Sequence, residues 1–226
     1  MQAAEEQDKV VRFYDQFAEK QEKTGINSRH LSILDKAKQA GLASNHRVLE
    51  VGCGIGTVSH LLATQVPQGK VLAVDISPES IEKARVLWKK QGNLKFDVSD
   101  MSDFNLPGET FDFFVFPDVL EHIPDDTKAM QELYRVLKPG GMGIFQIPQD
   151  LSRAVTFSDD SITNQKERAK IFGQYDHVRI YGRDYFEKLR SIGFKVNEID
   201  YTNTISPELV EKYCLAKGEI IPVCFK

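Results

Sequence analysis

A basic excess is missing from these 226 residues: 29 Lys and Arg stand against 33 Asp and Glu, a net charge of −4. The densest basic pair is Lys89-Lys90. Binding a nucleic-acid backbone calls for a basic patch, so DNA and RNA are disfavoured as substrates. Cysteine is scarce, three residues with no ligand spacing, so neither a disulfide framework nor a zinc site is expected. No set of clustered acids points to any other metal, and none is expected. Apolar runs all fall short of the roughly eighteen residues of a transmembrane helix, so no membrane insertion is expected. The opening Met-Gln-Ala-Ala-Glu-Glu-Gln-Asp has neither the basic nor the apolar region of a secretory signal. A reducing cytoplasm is the expected compartment.

Hydrophobic residues make up 41% and charged residues 27%, as in an ordinary globule, and the length suits one α/β domain. Val10, Phe13, Tyr14 and Phe17 recur at helical spacing, and a second helix is expected over 29–40, capped by Asn27 or Ser28. Strand-like runs then alternate with helices: strand 47–51, helix 57–66, strand 70–75, helix 78–90, strand 94–98, strand 111–116, a helix after Asp125, and strand 142–147. That alternation predicts a parallel sheet covered by helices on both faces. Residues 148–182 break the rhythm and read as a lid or a solvated insertion with a short helix over 162–172. A helix over 183–192 and strands over 194–201 and 219–225 close the chain, with pairing expected to fail at Pro222. The single domain thus divides into N-terminal helices (1–44), a core (45–147), the insertion (148–182) and a closing segment (183–226).

The most informative stretch is Val48-Leu-Glu-Val-Gly-Cys-Gly-Ile-Gly56, a buried strand running into glycines at alternate positions. Such a turn brings backbone N–H groups and a helix N-terminus close to a ligand. A dinucleotide fingerprint needs Gly-x-Gly-x-x-Gly, and Thr57 stands where its last glycine belongs; the Lys-Ser/Thr pair of a P-loop is also missing. Glu50 before the glycines would repel phosphate but suits a cationic or hydroxyl-rich ligand. Asp75 ends the second strand, where a carboxylate can accept from ribose hydroxyls.

Glu-x-Gly-x-Gly-x-Gly resembles the first motif of class I S-adenosylmethionine (SAM) dependent methyltransferases. Leu120-Glu-His-Ile123 after the fourth strand resembles the small-molecule, ubiquinone/menaquinone-biosynthesis group of that superfamily, over about residues 45–150. The resemblance implies a Rossmann-like three-layer sandwich: a seven-stranded, mostly parallel sheet in the order 3-2-1-4-5-7-6, with the last strand antiparallel. It places the methionine part of SAM on Glu50, Gly52, Cys53, Gly54 and Gly56, and the ribose on Asp75 with Ile76 packing on adenine. Asp100 and Met101 take the adenine edge, although Asp97 and Asp103 rival Asp100 by charge. Pro117, Asp118 and Val119 line the amino-acid end, with Arg29 and Tyr14 from the N-terminal segment.

Methyl transfer from a sulfonium needs alignment above all, and a hydroxyl acceptor also needs a base. The expected catalytic residues are His122, after the fourth strand, and His177 with its neighbour Asp176 in the Phe172–Gly182 block. His30 could touch the acceptor or SAM, whereas His46 and His60 read as structural. The resemblance implies SAM as methyl donor, S-adenosylhomocysteine as product, a small-metabolite acceptor attacking through O, N or C, and a monomer or homodimer. A SAM-binding scaffold without turnover, an aminopropyltransferase using decarboxylated SAM and a nicotinamide dehydrogenase are the competing readings.

Overall fold

The structure, a computed structural model, describes residues 25–101, 106–215, 218 and 220–226. The helix expected over 8–22, with Tyr14, and the rival Asp103 lie outside the described residues. Helix α1 (Ser28–Ala40) starts at Asn27 and stops at Gly41, which is left-handed at φ 110°. Asn27 accepts from the His30 N–H while the His30 ring accepts from the Asn27 N–H, so two otherwise orphaned helix-end donors are satisfied. His30 is therefore a capping residue.

The core alternates as expected: β1 (Arg47–Val51), α2 (Thr57–Gln65), β2 (Lys70–Asp75), α3 (Pro78–Leu87), β3 (Leu94–Val98), β4 (Phe111–Pro117), α4 (Asp126–Val136), β5 (Leu137–Gln146). The chain continues as β6 (Phe157–Ser158), α5 (Gln165–Phe172), β7 (Arg179–Ile180), α6 (Tyr185–Ile192), β8 (Lys195–Asp200), α7 (Pro207–Lys212) and β9 (Ile220–Phe225). The large sheet runs β3-β2-β1-β4-β5-β9-β8, while β6 and β7 form a separate ribbon. Renumbering only the large sheet's strands turns this into 3-2-1-4-5-7-6, with the last strand antiparallel to its neighbours.

Strand alternation splits the core into two layers. Val48, Phe113 and Val115 pack with α1 and α2, whereas Leu49, Phe114 and Phe116 pack with α4 and α6. Successive residues of β1 and β4 thus face opposite helical layers, which is why these strands read as unbroken apolar runs.

Three expectations need correction. Strand β5 begins at Leu137 instead of Met142, because Gly140 takes a positive φ of 76° and lets the chain bend through the Pro-Gly-Gly segment without leaving the sheet. Pro222 interrupts only one side: β9 stays in register with β8 through Glu198↔Pro222, and its ladder with β5 ends at Val223. Helix α7, which the sequence reading did not anticipate, is capped by Ser206 and begins at Pro207.

The 148–182 insertion is pinned at its C-terminal end. Arg179, only 6% exposed, donates to the carbonyls of Leu120 (2.8 Å), Ile123 (2.5 Å) and Pro124 (2.6 Å). Its guanidinium also lies 3.5 Å from Asp126, which accepts from Tyr181 at 2.7 Å. The Val178 N–H closes on the Glu121 carbonyl at 2.9 Å. The aromatic and charged block seen in the sequence therefore locks the insertion onto the turn that follows β4.

Candidate active site

The glycine turn leaves β1 at the carboxyl edge of the sheet, between β2 and β4. Sheet order reverses there, the place where open α/β folds bind ligands. Gly52 and Gly56 both require glycine. Gly52 has φ 75°, and a Cβ on it would fall 2.4 Å from Val119 Cγ2; Gly56 has φ 78°, and a Cβ on it would fall 2.5 Å from the Phe96 ring. The first contact presses the turn against the exit of β4, and the second seats it over β3. Gly52→Ala is expected to lower stability by roughly 1–3 kcal/mol, from left-handed strain plus the clash. Denaturant titration checks this, and Val119→Ala in the same chain should recover the part due to the clash.

Asp75 is buried at the tip of β2 and accepts from the Gly54 N–H (2.7 Å) and the Ser77 N–H (2.9 Å). It ties the middle of the glycine turn to the start of α3. A carboxylate has about four acceptor positions, so these two bonds are compatible with ribose hydroxyls donating to it as well.

Glu50 lies beneath the turn. It is only 1% exposed and turned inward, accepting from Ser59 of α2 at 2.5 Å. Burial pushes its carboxyl up to about 8; the Ser59 hydrogen bond opposes this and the Asp75 charge adds to it. Glu50 thus braces the turn from beneath through Ser59, with its proton held more tightly than usual. Cys53 is buried beside it, and that burial holds its thiol well above the usual range. Ile76 is half-buried and Met101 buried, while Asp100 is half-buried after β3. Asp97 instead pairs with Lys95 (3.0 Å) and Arg85 (3.6 Å).

The opposite wall is the exit of β4. Pro117 pairs with Gln146, and the Asp118 N–H donates to the Gln146 carbonyl at 2.7 Å. Asp118 takes a left-handed φ of 49°, which turns its side chain onto Arg29 in the first turn of α1. This ion pair joins the N-terminal helix to the mouth of the cleft.

Beyond Val119 the chain makes a short 3-10 turn, Leu120–His122, which brings the expected catalytic residues together. His122 Nδ1 lies 3.2 Å from Asp176 Oδ2, and the rings of His122 and His177 meet edge-to-face at 4.7 Å. Burial works against charge on His122, but the Asp176 hydrogen bond and charge outweigh it and raise the imidazole above its ordinary value. Burial, then the His122 charge, depress His177. Burial raises Glu121, and the neighbouring His122 partly offsets the effect.

A methyltransferase-domain model matches residues 48–141. An uncharacterised methyltransferase of Schizosaccharomyces pombe is 38% identical over 103 residues, covering 42% of this chain and 37% of that protein. The ubiquinone biosynthesis O-methyltransferase of Aromatoleum aromaticum is 27% identical over 210 residues, 92% of this chain and 76% of that protein. The crystal structure of a SAM-dependent methyltransferase from Aquifex aeolicus shares the fold with TM-score 0.63 at 21% identity, over 92% of this chain and 96% of that one.

Residues 48–141 are thus similar to a methyltransferase domain, and the fold is shared over most of the chain with a SAM-dependent methyltransferase.

The chain's match spans less than half the length of the first curated relatives, 37% and 30%. The fold does not by itself specify the reaction, since the [4+2]-cyclase SpnF shares it with TM-score 0.60 at 20% identity, over 81% of this chain and 66% of that one. The sequence reading missed Ser59 as the partner of Glu50, Asp126 as the anchor of Arg179, and Glu121 as a member of the histidine cluster. Only Glu121 carried a signal, its place beside His122; the other two partnerships depend on contacts between distant segments.

Proposed function

We propose that this protein transfers a methyl group from SAM to a small-molecule acceptor bound beside the turn that follows β4. One observation carries the reading: the Gly54 N–H bonded to Asp75 at the sheet's switch point, which builds a turn of bare backbone next to a carboxylate. The donor set fits SAM. Asp75, Asp100 and Asp118 offer negative charge to a cation with hydroxyls and would repel a pyrophosphate. Asp75 would hold the ribose and Asp100 with Met101 the adenine edge. The glycine turn, Pro117 and Val119 would enclose the methionine part, and Arg29 would exchange Asp118 for its carboxylate. When bound, SAM supplies a methyl group already activated on a sulfonium.

The chain's remaining task is to align the acceptor and exclude water, a contribution of roughly 7–11 kcal/mol in favourable cases. His122, Asp176 and His177 stand on the acceptor side, where they would orient the acceptor or take its proton. A small acceptor suits the net charge of −4, which disfavours nucleic acid. No helix among the described residues is long and apolar enough to cross a membrane. The Aromatoleum relative, named for O-methylation in ubiquinone biosynthesis, supports a small acceptor of this kind.

The test compares SAM with NAD⁺ by thermal shift and follows methylated products by mass spectrometry across a panel of small acceptors. Ligand at a hundred times its dissociation constant adds about 2.7 kcal/mol to stability. Stabilisation by SAM alone and a product heavier by one methylene are expected. Stabilisation by NAD⁺ and not by SAM ends the reading, and SAM binding without product from any acceptor class would favour a binding protein.

A further inference from the structure

The histidine cluster holds more than a base and its orienting acid. The His122 and His177 side chains are 12% and 11% exposed, and the Glu121 side chain only 2%. His122 Nδ1 faces the Asp176 carboxylate at 3.2 Å and His177 Nδ1 faces the Phe172 carbonyl at 3.2 Å. His177 Nδ1 can only donate to the Phe172 carbonyl, and a proton on His122 Nδ1 would face the Asp176 carboxylate, so in the neutral tautomers that suit these neighbours each Nε2 carries the lone pair. Both Nε2 atoms turn toward the same Glu121 oxygen, at 3.9 Å from His122 and 4.0 Å from His177. The second Glu121 oxygen is buried with no hydrogen-bond partner. Two lone pairs and a carboxylate therefore converge, with one ligand atom from each residue lying within 4.8 Å of the others. Metal-bound histidines are held in this way, with the far nitrogen donating to a carboxylate or a backbone carbonyl.

We propose that Glu121, His122 and His177 bind one divalent transition-metal ion, with Asp176 and the Phe172 carbonyl setting the two imidazoles. Bonds of about 2.0–2.2 Å bring ligand atoms to roughly 3.3 Å from one another, so the two Glu121–histidine pairs at 3.9 and 4.0 Å would close by roughly 0.6–0.7 Å and the histidine pair, within 4.8 Å, by up to about 1.5 Å. Three protein ligands leave coordination positions open, the arrangement of sites that receive a further ligand. The sequence shows no metal motif because the third ligand comes from the distant insertion, which Arg179 and the Val178 N–H fasten onto the Glu121 turn. The existence of the site does not depend on the SAM reading. Its role does: beside the proposed transfer centre, the ion would bind and orient an acceptor through oxygen.

The experiment uses the full chain, stripped with chelator and titrated with Zn²⁺, Mn²⁺ and Co²⁺, with metal content and Co²⁺ absorption as readouts. One equivalent is expected in the parent chain, with affinity falling at least 100-fold in His177→Ala and in Glu121→Gln while far-ultraviolet dichroism is unchanged. SAM affinity of the stripped proteins should stay within about twofold across the set, so loss of SAM binding and loss of metal report on separate claims. Absence of a bound equivalent in the parent at micromolar metal overturns the site, as does retained affinity in both variants. Should either variant unfold, the Co²⁺ spectrum of the parent decides, since a four- or five-coordinate nitrogen–oxygen spectrum supports the site and an aquo-ion spectrum rejects it.

Discussion

Asp75→Ala is expected to abolish detectable SAM binding while the fold survives. Asp75 serves both sides of the cleft wall. Within the protein it holds the Gly54 and Ser77 N–H groups, and toward the ligand it is the acceptor for ribose. Hydrogen bonds to a charged group are worth roughly 1.5–3 kcal/mol each, so losing two to ribose costs about 3–6 kcal/mol, or about 10²- to 10⁴-fold in affinity. Releasing the Gly54 N–H also frees the glycine turn, which adds an ordering cost to binding. The fold should persist because Asp75 is the last residue of β2, at the strand's tip, and the two apolar layers packed around Phe113 and Phe114 do not include it. Asp75→Asn should fall between the two, since its amide can accept from one N–H but presents donors to the other. Calorimetric titration with SAM, paired with circular dichroism, measures both effects. Near-parental affinity in a folded Asp75→Ala would remove Asp75 from the ligand's contacts and with it the assignment of the cleft.

The fold was legible because its signals are local. β1 and β4 announce themselves as apolar runs, Ser77-Pro78 and Asn27 mark helix starts, and the glycines fall where the chain must turn left-handed. What could not be read is what distant segments do to one another. Glu50 stands out because it precedes the glycines, but its bond to Ser59, one helix away, has no sequence signal. Residues 148–182 read as a lid or a solvated insertion because they are polar and irregular; that Arg179 finds three carbonyls in the Leu120–Pro124 turn and fastens the segment's C-terminal end there has no local signal. His122 and His177 were singled out separately. Their meeting over Glu121 is a product of that same anchorage, so the least legible contact in the chain creates its most chemically suggestive cluster.

Glu50→Gln is expected to remove a loss of stability that the parent chain suffers as pH rises. The carboxyl titrates near 8 in the folded protein and near its ordinary 4.5 when unfolded, the difference coming first from burial. Below the unfolded value both states hold the proton and the group favours neither. Between the two values the unfolded chain ionises while the folded chain keeps its proton, so stability falls as pH rises; above the folded value the loss levels off. Each unit of separation amounts to about 1.4 kcal/mol, which places the whole effect at a few kcal/mol. Glutamine can still accept from Ser59 and has no proton to lose. The variant should therefore match the parent near pH 4.5 and exceed it by a few kcal/mol at pH 8.5, as read by denaturant unfolding at each pH. Parallel curves for the two proteins would show that Glu50 is ionised in the folded state. The same pair of proteins separates bracing from binding: a brace leaves the pH dependence of SAM affinity alike in both, whereas a direct contact makes SAM bind more tightly with rising pH only where the carboxyl is present, because the cation then draws the proton off.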